Sequence, residues 1–236
     1  MPGGSGAAMV EAPRIVWADD HVVAIDKPAG MPSVPARDGR EPPAVAVVLA
    51  PGWGPLEAVH RLDRDTSGLL ILARSALARR HLGEAFEGRA VRKEYVAVVQ
   101  GVPERASGTV HLPLGPDPGR APRQRVDPIA GRPATTRWRT LARSADGARA
   151  ILSLEPVTGR SHQLRVHLAW LGTPIVGDPL YGAAPAGRML LHAARIAFPH
   201  PLEGTPIELL APACFPHPGD GWIMVSGAGS AGGPSG

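Results

Sequence analysis

The chain has 236 residues, 44% of them hydrophobic, which is enough for a buried core and too apolar for the disordered class. Its net charge of +4 permits a nucleic-acid partner without requiring one; Lys27 and Lys93 are the only lysines among 25 basic residues, leaving 23 arginines with a planar fork for phosphate and a flat face for bases. A single cysteine, Cys214, excludes an intramolecular disulfide and suits a cytoplasmic setting; no apolar run approaches the ~20 residues that span a bilayer, and no signal peptide is expected.

In chain order, residues 1–12 and 226–236 are rich in Gly, Ser, Ala and Pro and read as tails around one domain over 13–225. Arg14–Trp17 and His21–Ile25 read as strands joined by an Asp-Asp turn, followed by a polar loop from Lys27 to about Pro42. Ala44–Leu49 reads as a short helix stopped by Pro51-Gly52. Leu56–Leu62 and Leu69–Ala73 read as strands flanking a polar turn. Ser75–Phe86 reads as a helix with Ser75 as its N-cap and Gly88 past its end. Lys93–Val99 suits a strand. The stretch 113–133, dense in Pro, Gly and Arg, reads as a long surface loop carrying Arg120, Arg123 and Arg125. Thr135–Leu141 and Arg149–Leu154 read as a hairpin pair. Ser161–Leu171 reads as a helix capped by Ser161 and ended by Gly172, with strand-like pieces near 189–198 and 206–210. Neighbouring strands with helices between them predict an α+β domain.

Three segments carry candidate chemistry. In Val59–Gly68 a strand delivers Asp63 into a small polar turn with Arg61 and Arg64 beside it, a setting for a partly desolvated carboxylate held ionised by a guanidinium. Read locally, Asp63 and Asp65 are equally suited to capping the turn through Thr66 and Ser67. In Thr158–His167, Arg160 precedes a helix start, and Arg165 lies one turn in, within reach of His162; an arginine partner for a carboxylate, a phosphate clamp and a solvated face all remain open. His162 and His167 do not share a helix face, so no zinc pair is expected. In Arg92–Val96, Tyr95 is either a half-buried strand residue or an aromatic that stacks on a base and handles a proton. Gly177–Gly182 reads as a structured turn, and Leu190–Ala193 as core. No phosphate-binding glycine loop opens a helix, so no nucleotide cofactor is expected.

Together these segments resemble the RluA-type pseudouridine synthases. His60-Arg61-Leu62-Asp63 with Thr66-Ser67-Gly68 is similar to the family's signature. In the same order, Asp26–Gly30, Lys93-Glu94-Tyr95, Gly159–His167, Gly177–Gly182, and Leu191–Ala193 followed by His200-Pro201 are similar to its other motifs. The match spans about residues 14–215. The resemblance implies a central, mainly antiparallel mixed sheet flanked by helices and loops, with a cleft across it. It implies that Asp63 is the nucleophile or base that starts breakage of the uridine N1–C1′ bond. Tyr95 would pack on the uracil and assist proton movement, and Arg165 would pair with Asp63. Arg61 would help extrude the base, and Arg160, His162 and Gln163 would contact the substrate. Lys27 and Gly30 would support the core beside the cleft. No cofactor and no metal is implied; the partner is RNA, a stem-loop of tRNA or rRNA, met by a monomer. An S4-type RNA-binding domain is not expected, because only about a dozen residues precede the first strand. Two rival readings remain: a non-enzymatic RNA-binding protein on the same scaffold, and a carboxylate-dependent hydrolase of nucleosides or glycosides. For a hydrolase, Asp63 and Asp65 are poorly placed to flank a sugar from opposite sides.

Overall fold

Ser67–Ala73 reads Ser-Gly-Leu-Leu-Ile-Leu-Ala and is buried at all seven positions, the pattern of a strand covered on both faces. In the computed structural model, which describes residues 12–35, 42–182, 185–215 and 221–225, this strand lies inside a large mixed sheet. Nearly all of both expected tails, and residues 36–41 of the polar loop, lie outside the described residues.

The elements in order are β1 (Arg14–Ala18), β2 (Val22–Lys27), α1 (Val45–Trp53), β3 (Glu57–Ala58), β4 (Ser67–Ala73), α2 (Ala76–Glu87), β5 (Arg92–Gln100), β6 (Ser107–His111), β7 (Leu114–Pro116), β8 (Gln124–Val126), β9 (Thr135–Ser144), β10 (Arg149–Pro156), α3 (Gln163–Trp170), β11 (Leu191–Pro199), β12 (Pro206–Leu210) and β13 (Trp222–Met224). The main sheet runs β1-β2-β4-β11-β5-β10-β9-β13, with β12 on β11, β3 on β4 and β6 on β9. Among the described residues only β4 and β11 pair in parallel. The architecture is therefore α+β with a mainly antiparallel mixed sheet, as the sequence predicts.

Side chains alternate across the sheet with period two. Val23, Ile25, Leu70, Leu72, Tyr95 and Leu154 share one core with Val45 of α1 and with Leu164 and Leu168 of α3. Val22, Ala24, Leu69 and Ile71 face the other way, onto Ala78 and Leu82 of α2 and onto Ile196 and Phe198 of β11. The close β4–β11 approach depends on Gly68, at φ +109°, because a Cβ there would run into the Ala193 backbone. No helix among the described residues is long and apolar enough to cross a membrane.

Four expectations need correction. The strand expected over Leu56–Leu62 is only Glu57–Ala58. Beyond it the chain is tied by side chains: the Leu62 N–H donates to Ser33 Oγ at 3.0 Å and the Ile71 N–H to His60 Nε2 at 3.0 Å. The first helix passes Pro51 and ends at Trp53, where Gly54 N–H closes onto Ala50 O. A proline near the C-terminal end removes a single helical bond, and Val45, Leu49 and Trp53 hold the helix on the core. Ser161 does not cap α3, which begins at Gln163 after His162 in the left-handed region at φ 55°. The expected 113–133 loop contains a small hairpin of β7 and β8. By contrast, the Ser75 side chain caps α2, accepting from the Ala78 N–H at 3.1 Å.

Candidate active site

Asp63 sits in the turn that feeds the central strand β4, and the turn closes on itself where the Thr66 N–H donates to the Asp63 carbonyl at 3.1 Å. Three residues of the preceding loop hold this turn from below. Lys27, fully buried, donates from Nζ to the carbonyls of Pro28, Met31 and Arg64 at 3.0, 2.8 and 2.9 Å. The Gly30 N–H donates to the same Arg64 carbonyl at 2.9 Å, and Ser33 Oγ donates to the Leu62 carbonyl at 2.8 Å. A buried ammonium normally carries a desolvation cost. Here burial pulls the Lys27 pKa down to about 7, with Asp65 and Asp63 opposing the shift.

The side chain of Asp63 is 27% exposed and meets α3 from below. Arg165 Nη1 donates to Asp63 Oδ2 at 3.2 Å. The other side of the same guanidinium is gripped by Asp178, whose Oδ2 and Oδ1 accept from Nε and Nη2 at 2.8 Å each. Asp178 Oδ1 also accepts the backbone N–H groups of Leu180 and Tyr181 at 2.9 and 3.3 Å. A planar fork held on one edge presents its remaining N–H in a fixed direction. Burial disfavours the Arg165 charge, but the hydrogen bonds and charge of Asp178, then those of Asp63, outweigh it and raise its pKa. Sequence reading missed Asp178; its motif was legible as a turn, while its partner lies 13 residues away on another element.

The cleft above Asp63 has a volume of about 840 Å³, and all seven residues singled out in the sequence line it: Arg61, Asp63, Tyr95, Arg160, His162, Gln163 and Arg165. Their settings differ. Tyr95 stands at the centre of the sheet, opposite Ala193 of β11 and Leu154 of β10. Burial, reinforced by the Asp63 charge, pushes its phenol pKa above the usual range. Arg61 is exposed at the mouth. Arg160 is tied through Nε to the Pro133 carbonyl at 3.1 Å. Gln163 is buried and its amide is fully engaged: Oε1 accepts from Thr158 Oγ1 and the Arg160 N–H at 2.7 and 3.0 Å. Its Nε2 donates to the Thr135 carbonyl and Thr136 Oγ1 at 2.9 and 3.0 Å. His162 lies at the cleft with Nε2 4.0 Å from Asp63 Oδ2, whereas His167 is in the core on Thr136 and Leu112.

The far wall is apolar and cationic. His60 stacks on Phe86 with ring centroids 4.6 Å apart, and Lys93 Nζ lies 5.6 Å over the same ring. Burial, then the Lys93 charge, lowers the His60 pKa to about 3, so this imidazole is neutral. Among the described residues no group of three or more His, Cys, Asp or Glu is placed to hold a metal ion. The arrangement offers the Asp63 carboxylate beside Arg165, a buried aromatic near it, and arginines at the rim, which suits an extruded planar base on a polyanionic strand.

The chain is similar to known proteins in sequence and in fold. A family model described as RNA pseudouridylate synthase matches residues 21–170. The dual-specificity RNA pseudouridine synthase RluA of Escherichia coli strain K12 is 40% identical over 205 residues, covering 85% of this chain and 93% of that protein. The protein of the same name from Yersinia pestis is 37% identical, covering 85% of this chain and 99% of its own length. Among solved structures, human RNA pseudouridylate synthase domain containing 1 superposes with a TM-score of 0.73 at 28% identity, covering 90% of this chain and 86% of that one. The chain belongs to the RNA pseudouridylate synthase family, the isomerases that convert uridine in RNA to pseudouridine.

Proposed function

We propose that Asp63 is the catalytic carboxylate of this synthase, acting on a uridine flipped out of a tRNA or rRNA stem-loop. The observation that carries the reading is the Arg165–Asp63 contact: a guanidinium fixed by Asp178 binds one carboxylate oxygen, while no hydrogen bond or ion pair engages the other among the described residues. Asp63 attacks as nucleophile, or as base, to start cleavage of the N1–C1′ bond. The base rotates and C5 bonds to C1′ as the Asp63–C1′ bond of the nucleophilic route breaks, or as the sugar proton taken by Asp63 on the base route returns; the C5 proton is lost and N1 gains a proton, so the reaction is a balanced isomerisation. Tyr95 packs on the uracil and assists the proton transfer; its raised pKa keeps the phenol protonated until then. Arg61, exposed at the mouth, fills the space the base leaves. Arg160 and His162 contact the substrate strand. Gln163, with its amide saturated, acts by holding the 158–160 loop and the Thr135–Thr136 segment in place. Flipping a base costs a few kcal/mol, which stacking and arginine–phosphate contacts offset.

We further propose that residues 13–225 form one catalytic domain that works as a monomer. The cytoplasm is the proposed compartment, since the lone Cys214 is exposed and unpaired. The matched relatives are called dual-specificity enzymes, so both RNA classes are the substrates to try. Digestion of treated tRNA and rRNA to nucleosides, followed by mass spectrometry after pseudouridine-specific derivatisation, tests this. New pseudouridine in at least one pool, and none from free uridine, is the expected result. Free uracil as product would favour the hydrolase, and intact binding without product the non-enzymatic protein.

A further inference from the structure

We propose that Tyr181 and His162 form a positioning pair that turns a ring N–H toward Asp63 Oδ2, the oxygen that Arg165 binds, so that Oδ1 is the one presented to the uridine. The proposal rests on the assignment of Asp63 as the catalytic carboxylate and adds residues to it.

The direction of each proton follows from who can donate. The Tyr181 hydroxyl oxygen accepts the backbone N–H of Gln124 at 2.8 Å, and a backbone N–H can only donate. The hydroxyl's other hydrogen-bond neighbour among the described residues is His162 Nδ1, at 2.8 Å. With that oxygen already accepting from Gln124, the proposed pair directs the phenol proton to Nδ1, so that the neutral imidazole carries its own proton on Nε2. That nitrogen is the one 4.0 Å from Asp63 Oδ2, the same oxygen that Arg165 Nη1 reaches at 3.2 Å. Arg165 Nη1 is thus hydrogen-bonded to Oδ2 and His162 Nε2 faces the same oxygen from beyond hydrogen-bond distance, while no hydrogen bond or ion pair engages Oδ1 among the described residues. Burial keeps the His162 pKa below its ordinary value, against the pull of Asp63, in line with a neutral ring.

The Tyr181 ring is itself fixed. The guanidinium carbons of Arg123 and Arg165 each lie 5.2 Å from its centroid, and the His162 ring meets it edge-on at 5.7 Å and 89°. His162 occupies the left-handed region at φ 55°, where a residue with a side chain is strained. That conformation places the imidazole ahead of α3 and facing both Tyr181 and Asp63, the kind of strain that collects at functional sites. Gln124 belongs to β8, so the arginine-bearing hairpin is linked by hydrogen bonds to the ring that faces the carboxylate.

Long-range proton–nitrogen correlation spectra of the full chain with ¹⁵N-labelled histidine read the tautomer directly, with the His162 signals identified by their loss in His162→Gln. The expected result is a neutral ring protonated on Nε2 in the wild type, with the Nδ1-protonated form emerging in Tyr181→Phe, which keeps the ring and removes the hydroxyl. Kinetically, Tyr181→Phe should slow single-turnover release of tritium from uridine C5 by about ten- to a hundredfold with RNA affinity unchanged, as misplacement of a reacting group does. The double variant with His162→Gln should be no slower than His162→Gln alone. An Nδ1-protonated ring in the wild type, a wild-type rate for Tyr181→Phe, or additive losses in the double variant would each overturn the pair. The spectra need no RNA, so they decide the tautomer even if the wild type fails to turn over RNA and the assignment of Asp63 falls.

Discussion

Arg165 grips Asp178 through Nε and Nη2 at 2.8 Å each, and Arg195 grips Glu208 through the same two atoms at 2.9 and 2.8 Å. The geometry is nearly the same; the setting is not. The side chains of the first pair are 3% and 0% exposed, those of the second 43% and 47%. On the open face around Arg195, further pairs such as Arg137–Glu155 and Arg139–Glu94 form a solvated ladder of mixed charge. Exposed pairs of this kind contribute at most about 1 kcal/mol each, since water competes for both partners. The buried pair must be complete to be tolerated, and its third N–H is what reaches Asp63. Burial, and not the contact itself, separates a structural ornament of the surface from a part of the site.

The sharpest way to break the comparison is to remove one buried partner. Asp178→Asn should cost roughly 3–5 kcal/mol in urea unfolding, because it leaves a buried guanidinium half-paired. It should also slow single-turnover isomerisation by about a hundredfold or more, because Arg165 no longer aims at Asp63. If stability falls but the rate of the folded fraction does not, Asp178 has no positioning role. Next in size is Gly68→Ala, which forces a Cβ against the Ala193 backbone at a positive φ and should destabilise by roughly 2–4 kcal/mol. A neutral result would mean that the β4–β11 approach is looser than it stands.

A third test concerns pH. The folded pKa of His60, about 3, lies below its ordinary 6.5, so its contribution is complete above pH 6.5 and is lost as pH falls toward 3. At its steepest the loss is about 1.4 kcal/mol per pH unit for each such group. Urea midpoints at pH 7 and pH 5 should therefore converge in His60→Gln relative to wild type. The convergence should be partial, because His167 and His192 are also held below their ordinary values, first by burial. The smallest effect is reserved for the surface pair: Glu208→Gln should leave the urea midpoint close to that of the wild type and leave turnover alone. A larger loss would erase the contrast between the two faces.

Much of this was legible in the sequence because the informative residues are local. Ser75 and Gly88 bracket α2 by capping chemistry, and continuous apolar runs mark β2 and β4. The seven cleft residues were found through ordered motifs, and all seven line one cavity. What stayed hidden depends on partners distant in the chain. Val59–Leu62 has the apolar content of a strand, but its backbone is satisfied by Ser33 Oγ and its side chain His60 bonds the Ile71 N–H. At α3 no side chain caps the helix start, and the Gln163 amide instead holds the preceding loop through Arg160 and Thr158. β6 was overlooked because Ser107 and Gly108 weaken its strand pattern, while the missing Cβ of Gly108 makes room for Trp138. Asp178 and Tyr181 read as a turn, and only the fold brings them under Arg165 and His162.

The most direct measurement is single-turnover tritium release from RNA labelled at uridine C5, run with wild type and Asp63→Asn at matched RNA occupancy. Asp63→Asn keeps the size of the side chain and removes the charge. Release by the wild type, with loss of at least about a thousandfold in the variant and unchanged RNA affinity, is the result that identifies Asp63 as the group that starts the reaction. Release by Asp63→Asn within about tenfold of wild type would contradict it, and would move the chemistry to another group in the cleft.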